Sequence, residues 1–104
     1  MLSIHLQNTK TQGFECITYE EEAILHELSE QFDVQFITKL WEGFYDDPVF
    51  SLTELSEAQS ALFDLASRLK KSALSSPQLH FVYKLIATVS YALHHQQNLC
   101  CLSD

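Results

Sequence analysis

The order of apolar and polar residues predicts a β-hairpin at the start of the chain. Leu2, Ile4 and Leu6 alternate with polar residues, which is the two-residue period of a half-buried strand. A polar run ends at Gly13, after which residues 14–18 resume an extended pattern. We therefore predict a hairpin over about 2–18. Because a two-stranded ribbon is only marginally stable, helices must cover it or another chain must extend it.

Helical spacing of apolar residues predicts two helices directly after this hairpin. Thr18 and Glu21 have the spacing of a capping box, so the first helix begins there and runs to about Phe32. Asp33 is placed to cap a second helix, whose apolar residues recur every three or four positions. We expect that helix to end at Gly43, since a proline follows soon afterwards.

The second half of the chain predicts two longer helices. Ser51 and Glu54 form another capping box, and leucines then recur at helical spacing over 52–71. Ser76, followed by proline, is expected to cap a fourth helix over about 78–97. The fourth helix is apolar almost all round, which is typical of a helix in the middle of a bundle.

These elements together predict the fold class. The chain has 104 residues, enough for one hydrophobic core, so 1–104 is interpreted as a single domain. Only two glycines and two prolines occur, which favours long helices over a many-turned sandwich or barrel. The prediction is an α+β fold, mainly helical, with a short N-terminal β-hairpin packed on a bundle of about four helices.

Charge is distributed unevenly along the chain. Residues 1–64 contain thirteen acidic and two basic residues, a net charge of −11, whereas residues 65–104 have a net charge of +3. An acidic surface of this size repels nucleic acid and anionic lipid and attracts basic proteins. We therefore expect a basic protein partner and no binding to nucleic acid or membranes. A simple role in solubility is the alternative explanation for the acids.

The cysteines, the first residues of the chain and the apolar stretch 79–93 bear on localisation. Three cysteines, an odd number, favour reduced thiols over a disulfide framework. The first residues lack the positive start and cleavage site of a signal peptide. The apolar stretch 79–93 is interrupted by polar residues and is interpreted as a buried helix. A cytoplasmic location is the resulting expectation.

The C-terminal residues His94, His95, Cys100 and Cys101 are the one group suited to a metal ion such as zinc. Structural zinc ligands usually come in pairs two to four residues apart, whereas neighbouring helical side chains point roughly 100° apart. We therefore interpret the tail as a fraying helix end with buried thiols, and expect neither a metal nor a cofactor.

Motifs for catalysis are scarce. Ser67 and Lys70 match the Ser-x-x-Lys pattern of penicillin-recognising enzymes, but the further motifs of those enzymes are missing. Lys70 is better explained as a cation at a helix end. The chain also lacks the glycines for a phosphate-binding or dinucleotide-binding loop. We expect a protein that is not an enzyme.

Residues 40–50 concentrate aromatic and acidic residues at a predicted corner. Trp41 and Phe44 continue the apolar side of the second helix, so packing accounts for them. Packing does not account for the tyrosine and two aspartates that follow. An exposed tyrosine offers contact area at low entropic cost, and carboxylates add charge specificity. Six residues are therefore predicted to bind a partner: Tyr45, Asp46, Asp47, Glu20, Glu21 and Glu22.

Three functional hypotheses follow from these observations. The first is a small acidic protein-binding module, for example an immunity-type inhibitor that occludes a basic surface of a toxin or nuclease. The second is an assembly module that self-associates through the hairpin edge or the leucine-rich third helix. The third is a metal-dependent sensor or enzyme that uses the His/Cys tail. Size, charge and missing motifs favour the first.

Overall fold

The computed structural model describes residues 1–9, 13–71 and 76–103. These residues form four α-helices, a 3₁₀ helix (Gln7–Thr9) and four strands. The strands are β1 (Leu2–Leu6), β2 (Glu15–Ile17), β3 (Val49–Phe50) and β4 (Leu99–Ser103), and the helices are α1 (Tyr19–Gln31), α2 (Gln35–Glu42), α3 (Leu52–Lys70) and α4 (Ser76–His94). The predicted class, α+β and mainly helical with an N-terminal hairpin, is confirmed.

The four strands form one antiparallel sheet in the order β2-β1-β4-β3. β1 and β2 are the predicted hairpin, and residues 10–12 between them lie outside the described part. Leu2 faces Ile17 on one side and Ser103 on the other, so β4 lies between β1 and β3. The hairpin is thus extended by the end of its own chain.

The predicted fraying helix end at the C-terminus is wrong, because the tail is this central strand. α4 ends at His94, and Gln96 then takes a left-handed conformation with φ 54°. Backbone N–H groups of Gln96 and Gln97 donate to the carbonyls of Leu93 and Ala92, at 3.0 and 3.1 Å. These bonds form a Schellman motif, which satisfies the last carbonyls and reverses the chain into β4. The prediction of buried thiols there is confirmed.

Side-chain caps begin α1 and α3 as predicted. The hydroxyl oxygen of Thr18 accepts from the Glu21 backbone N–H, and that of Ser51 accepts from the Glu54 N–H, each within a complete capping box. The predicted cap at Asp33 is wrong, because Val34 is the N-cap of α2 and gives no side-chain bond. Burial of an apolar face stabilises α2 instead. The predicted Ser76 cap concerns a side chain outside the described part.

The helices pack on one face of the sheet. Alternate strand residues, including Leu2, Ile4, Phe50 and Leu99, join the helices in the core. α3 and α4 form the most extensive helix contact. The opposite, outer face of the sheet carries the residues between them, none of them Asp, Glu, Lys or Arg: Ser3, His5, Cys16, Val49, Cys100 and Leu102.

Over the described ranges, none of the helices combines the length and apolarity that a membrane crossing requires.

Candidate protein-binding surface

The corner that follows α2 is held by close packing of the backbone. Gly43 ends the helix, and its N–H donates to the Lys39 carbonyl at 2.9 Å. A Cβ atom at Gly43 would lie 3.0 Å from that carbonyl oxygen and 3.3 Å from Cβ of Pro48. The Asp46 N–H then donates to the Gly43 carbonyl at 2.9 Å. Glycine therefore lets the chain turn tightly, which fixes the direction of residues 44–47.

Aromatic side chains connect this corner to α1. Phe44 is 3% exposed and Tyr45 is 78% exposed, and their rings meet edge to face at 5.3 Å. Trp41 is half-buried beside Phe44 and stacks on His26 of α1 with ring centroids 4.6 Å apart. Phe44 faces inward as predicted, Trp41 only partly so. Tyr45 thus projects into solvent from a buried aromatic base.

The two aspartates of the corner differ in their roles. Asp47 adopts φ 50°, and its carboxylate accepts hydrogen bonds from the Ser103 N–H at 3.0 Å and the Ser103 hydroxyl at 3.4 Å. This side chain therefore ties the corner to β4, although it is exposed. Asp46 is exposed too, and among the described residues no cation lies within ion-pair distance of it. Its charge is available to a partner.

The acidic residues at the start of α1 also differ from one another. Glu21 accepts from Lys84 Nζ at 2.7 Å, and Glu22 lies 3.7 Å from the amino group of Met1. Glu20 is exposed in the first turn of the helix. Two of the three carboxylates therefore have internal partners, and Glu20 alone of them is exposed and has no ion pair with a described residue.

Lys84 is the cation at the centre of the internal ion pairs. Burial alone would raise the pKa of Glu21, but hydrogen bonds from Lys84 and Thr18 outweigh it and hold that pKa below its ordinary value. Burial would lower the pKa of Lys84, whereas Glu21 and Glu15 raise it above its ordinary value. Lys84 and Glu21 are therefore both charged at neutral pH and join α4 to α1.

Strand register places the two candidate groups at the same end of the sheet. Ile17, Leu2 and Ser103 face one another in a row, and Asp47 is bonded to Ser103. α1 begins two residues after Ile17. Two strand spacings, about 10 Å, separate Ile17 from Ser103. The predicted residues thus lie towards one end of the sheet, where Glu20, Tyr45 and Asp46 are exposed and have neither an ion pair nor a side-chain hydrogen bond to a described residue.

A neighbouring hollow between α2 and α3 was not predicted. Lys39 of α2 extends across it, donates to Glu54 at 2.7 Å and to the Val49 carbonyl at 2.7 Å, and lies over the ring of Phe50. Hydrogen bonds from Lys39 and from the Ser51 backbone lower the pKa of Glu54. The sequence signal was Lys39 itself, the one basic residue between positions 11 and 64.

The candidate metal ligands of the tail do not converge. His94 and His95 are exposed at the end of α4, with rings nearly perpendicular to each other. Cys100 and Cys101 are buried on opposite faces of β4. Within the described ranges, no three His, Cys, Asp or Glu residues are grouped so as to hold a metal ion. The side chains that suggested zinc therefore point in different directions.

Neither a protein-family model, nor a curated protein, nor a solved structure matches this chain, so the geometry of the corner and of the acidic edge is the basis for a functional argument.

Proposed function

We propose that this protein is a small acidic binding module that occludes a basic surface of a partner protein, in the manner of an immunity-type inhibitor of a toxin or nuclease. The contact residues are Tyr45, Asp46 and Asp47, supported by the carboxylates of Glu20, Glu21 and Glu22. The mechanism is steric and electrostatic, with no chemical step.

The observation that carries this proposal is the exposure of Tyr45. A tyrosine that is 78% exposed on a single monomer leaves a large apolar ring in water. Its backbone is fixed by the corner, and its ring rests on buried Phe44. Little conformational entropy is therefore lost when a partner covers it, which is the property of an interface anchor.

Charge supports a basic partner. Asp46 lies next to Tyr45, and Glu20 lies along the same end of the sheet, both exposed. Acids outnumber bases thirteen to two in residues 1–64, so the potential around this edge is negative. Such a field accelerates encounter with a basic surface and selects against acidic ones.

The thiols support a cytoplasmic location within this proposal. Cys16, Cys100 and Cys101 are all unpaired. Burial and neighbouring negative groups raise the pKa of Cys101 to about 12, which keeps that thiol protonated and unreactive. A protein with three free thiols and no disulfide is suited to a reducing compartment.

The test is capture of a partner from a native cell extract, followed by binding kinetics with that partner. Tyr45→Ala should speed dissociation by about thirtyfold, as loss of an anchor worth about 2 kcal/mol does. Asp46→Lys should slow association and reduce its dependence on salt, because the steering charge is reversed. Both variants should melt like the parent, since both side chains are exposed.

Matched controls separate this surface from the rest of the protein. Phe63 of α3 is 55% exposed, so Phe63→Ala removes an exposed ring away from this surface. Asp64→Lys makes the same charge change on α3. If the captured partner is acidic, or if the controls weaken binding as much as the corner variants, the proposal is wrong.

Self-association is a second candidate, favoured by the outer face of the sheet. Val49 and Leu102 are 45% and 36% exposed there, on a face whose described strand residues include no acid, lysine or arginine. Two copies with a net charge of −8 would meet with least repulsion on such a face. The leucine side of α3 is used in the core, which leaves the sheet face and the three-residue edge strand β2. Sedimentation equilibrium would reveal a dimer directly.

A further inference from the structure

A groove runs along α2 from α3 to the corner. At one end is a cavity of about 180 Å³ between α2, β3 and α3. Beside it a second, more open hollow continues along α2 to Gly43 and Pro48. The two share Gln35 and Lys39, so they form one depression, which we call the α2–α3 groove. It ends two residues before Tyr45.

The floor of the groove is apolar. Phe36 and Phe50 lie beneath it with ring centroids 4.6 Å apart. Ala58 and Ala61 of α3 form the facing wall, and their small side chains leave the cavity open. A cavity of about 180 Å³ has room for one long side chain. The cavity is therefore suited to the aliphatic part of a long side chain.

The rim of the groove is acidic. Glu54 and Glu57 lie at the cavity and Glu42 at the second hollow, against the single cation Lys39. Lys39 is already paired with Glu54 at 2.7 Å. Neither Glu57 nor Glu42 has a cation within ion-pair distance in the part of the chain that the structure describes. Three carboxylates and one ammonium leave a net charge of −2 along the rim.

Lys39 also limits how a partner can bind. The Pro48 carbonyl accepts from the Cys101 N–H, so antiparallel alternation turns the Val49 carbonyl away from β4, towards the open edge. Lys39 Nζ donates a hydrogen bond to that carbonyl at 2.7 Å. A partner strand is therefore blocked from adding to β3, and recognition must use side chains.

We propose that the α2–α3 groove binds a short, extended, basic segment of the partner protein, with one arginine side chain in the cavity. The arginine stem lies on Phe36 and Phe50, and its guanidinium pairs with Glu57. The eight residues of α2 span about 12 Å, which matches about four residues of extended chain. This inference rests on the proposed function and names the part of the partner that would be held.

The experiment uses a five-residue peptide, acetylated and amidated, with a central arginine flanked by leucine and lysine. Binding is followed by chemical-shift changes in the isotope-labelled protein at low salt. The expected shifts are confined to residues 35–42 and 54–61. A peptide with citrulline in place of arginine keeps the shape and removes the charge, so it should bind about three- to tenfold more weakly.

Two variants test the cavity itself. Glu57→Gln removes the unpaired carboxylate at an exposed position, so the fold should persist while the arginine peptide loses about three- to tenfold in affinity. Glu30→Gln makes the same change of charge at an exposed position of α1 outside the groove and should leave peptide affinity unchanged. Ala58→Leu should fill the cavity and abolish binding, with an unchanged spectrum elsewhere as evidence of folding.

Several results would overturn the inference. They are shifts spread over all acidic surfaces, equal binding of the citrulline peptide, or equal affinity of Glu57→Gln. Free arginine that binds as tightly as the peptide would identify a small cation as the ligand and would also overturn it. The proposed function is tested separately, since Tyr45→Ala and Asp46→Lys act on partner capture and lie outside the groove.

Discussion

At the scale of single residues, Asp47 combines an unusual backbone conformation with a hydrogen bond. Its φ of 50° is tolerated by Asp and Asn better than by other side chains. Its carboxylate also accepts from the Ser103 N–H. Asp47→Ala loses both advantages and should lower the free energy of unfolding by about 1 to 2 kcal/mol. Asp47→Asn keeps both and should stay within about 0.5 kcal/mol. Urea denaturation measures each change.

Asp46 is the matched control for this prediction. It is exposed and makes no ion pair with a described residue, so Asp46→Ala should change stability by less than about 0.5 kcal/mol. Equal losses for the alanine variants at 46 and 47 would mean that the bond to Ser103 does not hold the corner.

Part of this surface could be predicted from the sequence, and the rest could not. The end of an apolar helical row at Phe44 indicated that Tyr45 would be exposed. Nothing local distinguishes Asp46 from Asp47, because the partner of Asp47 lies at the far end of the chain. Likewise Glu21 is in a capping box that the sequence shows, whereas its bond to Lys84 depends on the tertiary fold.

At the scale of elements, two neighbouring residues test which face of α3 packs into the core. Leu62 is fully buried and Phe63 is 55% exposed. Leu62→Ala should cost about 2 to 5 kcal/mol, because it leaves a cavity between packed helices. Phe63→Ala removes a larger side chain from the solvent-exposed face and should lower the free energy of unfolding by less than about 1 kcal/mol. Thermal melts that rank the two variants in the opposite order would contradict this assignment of the buried face.

The contact between α1 and α4 should depend on pH. The pKa of Glu21 is lower in the folded protein than in the unfolded chain, so its contribution to stability is fully present above the unfolded value of about 4.5. That contribution is lost as pH falls through the lower, folded value. Lys84 has the opposite sign, and its contribution is lost only as pH rises through a value above 10.5.

Glu21→Gln should therefore cost about 1 to 3 kcal/mol at pH 7 and progressively less in acid, as denaturation at pH 7 and pH 3 would measure. Glu20→Gln is the control, since Glu20 has no ion pair with a described residue and its charge acts on the helix N-terminus, so the change should cost about 0.3 to 1 kcal/mol. A loss for Glu21→Gln that is the same at both pH values would show that the ion pair does not stabilise the contact.

Local signals explain which elements could be predicted. Both capping boxes act within four residues, so the starts of α1 and α3 were correct. β3 has only two residues, too few to show the alternation of apolar and polar residues that predicts a strand. The end of α4 depends on Gln96 at a left-handed position where glycine or asparagine is usual, so no sequence rule marked it. β4 was missed because a short apolar run does not distinguish a strand from a helix.

At the scale of the whole molecule, folding redistributes the charges that the sequence separates. Lys84 comes from the basic half and pairs with Glu15 and Glu21 of the acidic half. Arg68 pairs with Asp64 within α3. Asp46 at the corner, Glu20 at the edge and Glu57 in the α2–α3 groove are exposed and have no ion pair with a described residue. Composition predicted an acidic protein, and the fold determines where the unbalanced charge lies.

The pairing of β1 with β4 has a kinetic consequence. Leu2 and Ser103 are neighbours in the sheet but far apart in the chain, so their pairing closes a loop of about 100 residues. A circular permutant that joins 103 to 2 through an Asn-Gly turn, with new ends at exposed Asp33, converts this pairing into a local hairpin. It should refold faster than the parent while unfolding at a similar rate. Stopped-flow fluorescence of Trp41, the one tryptophan, would measure both rates.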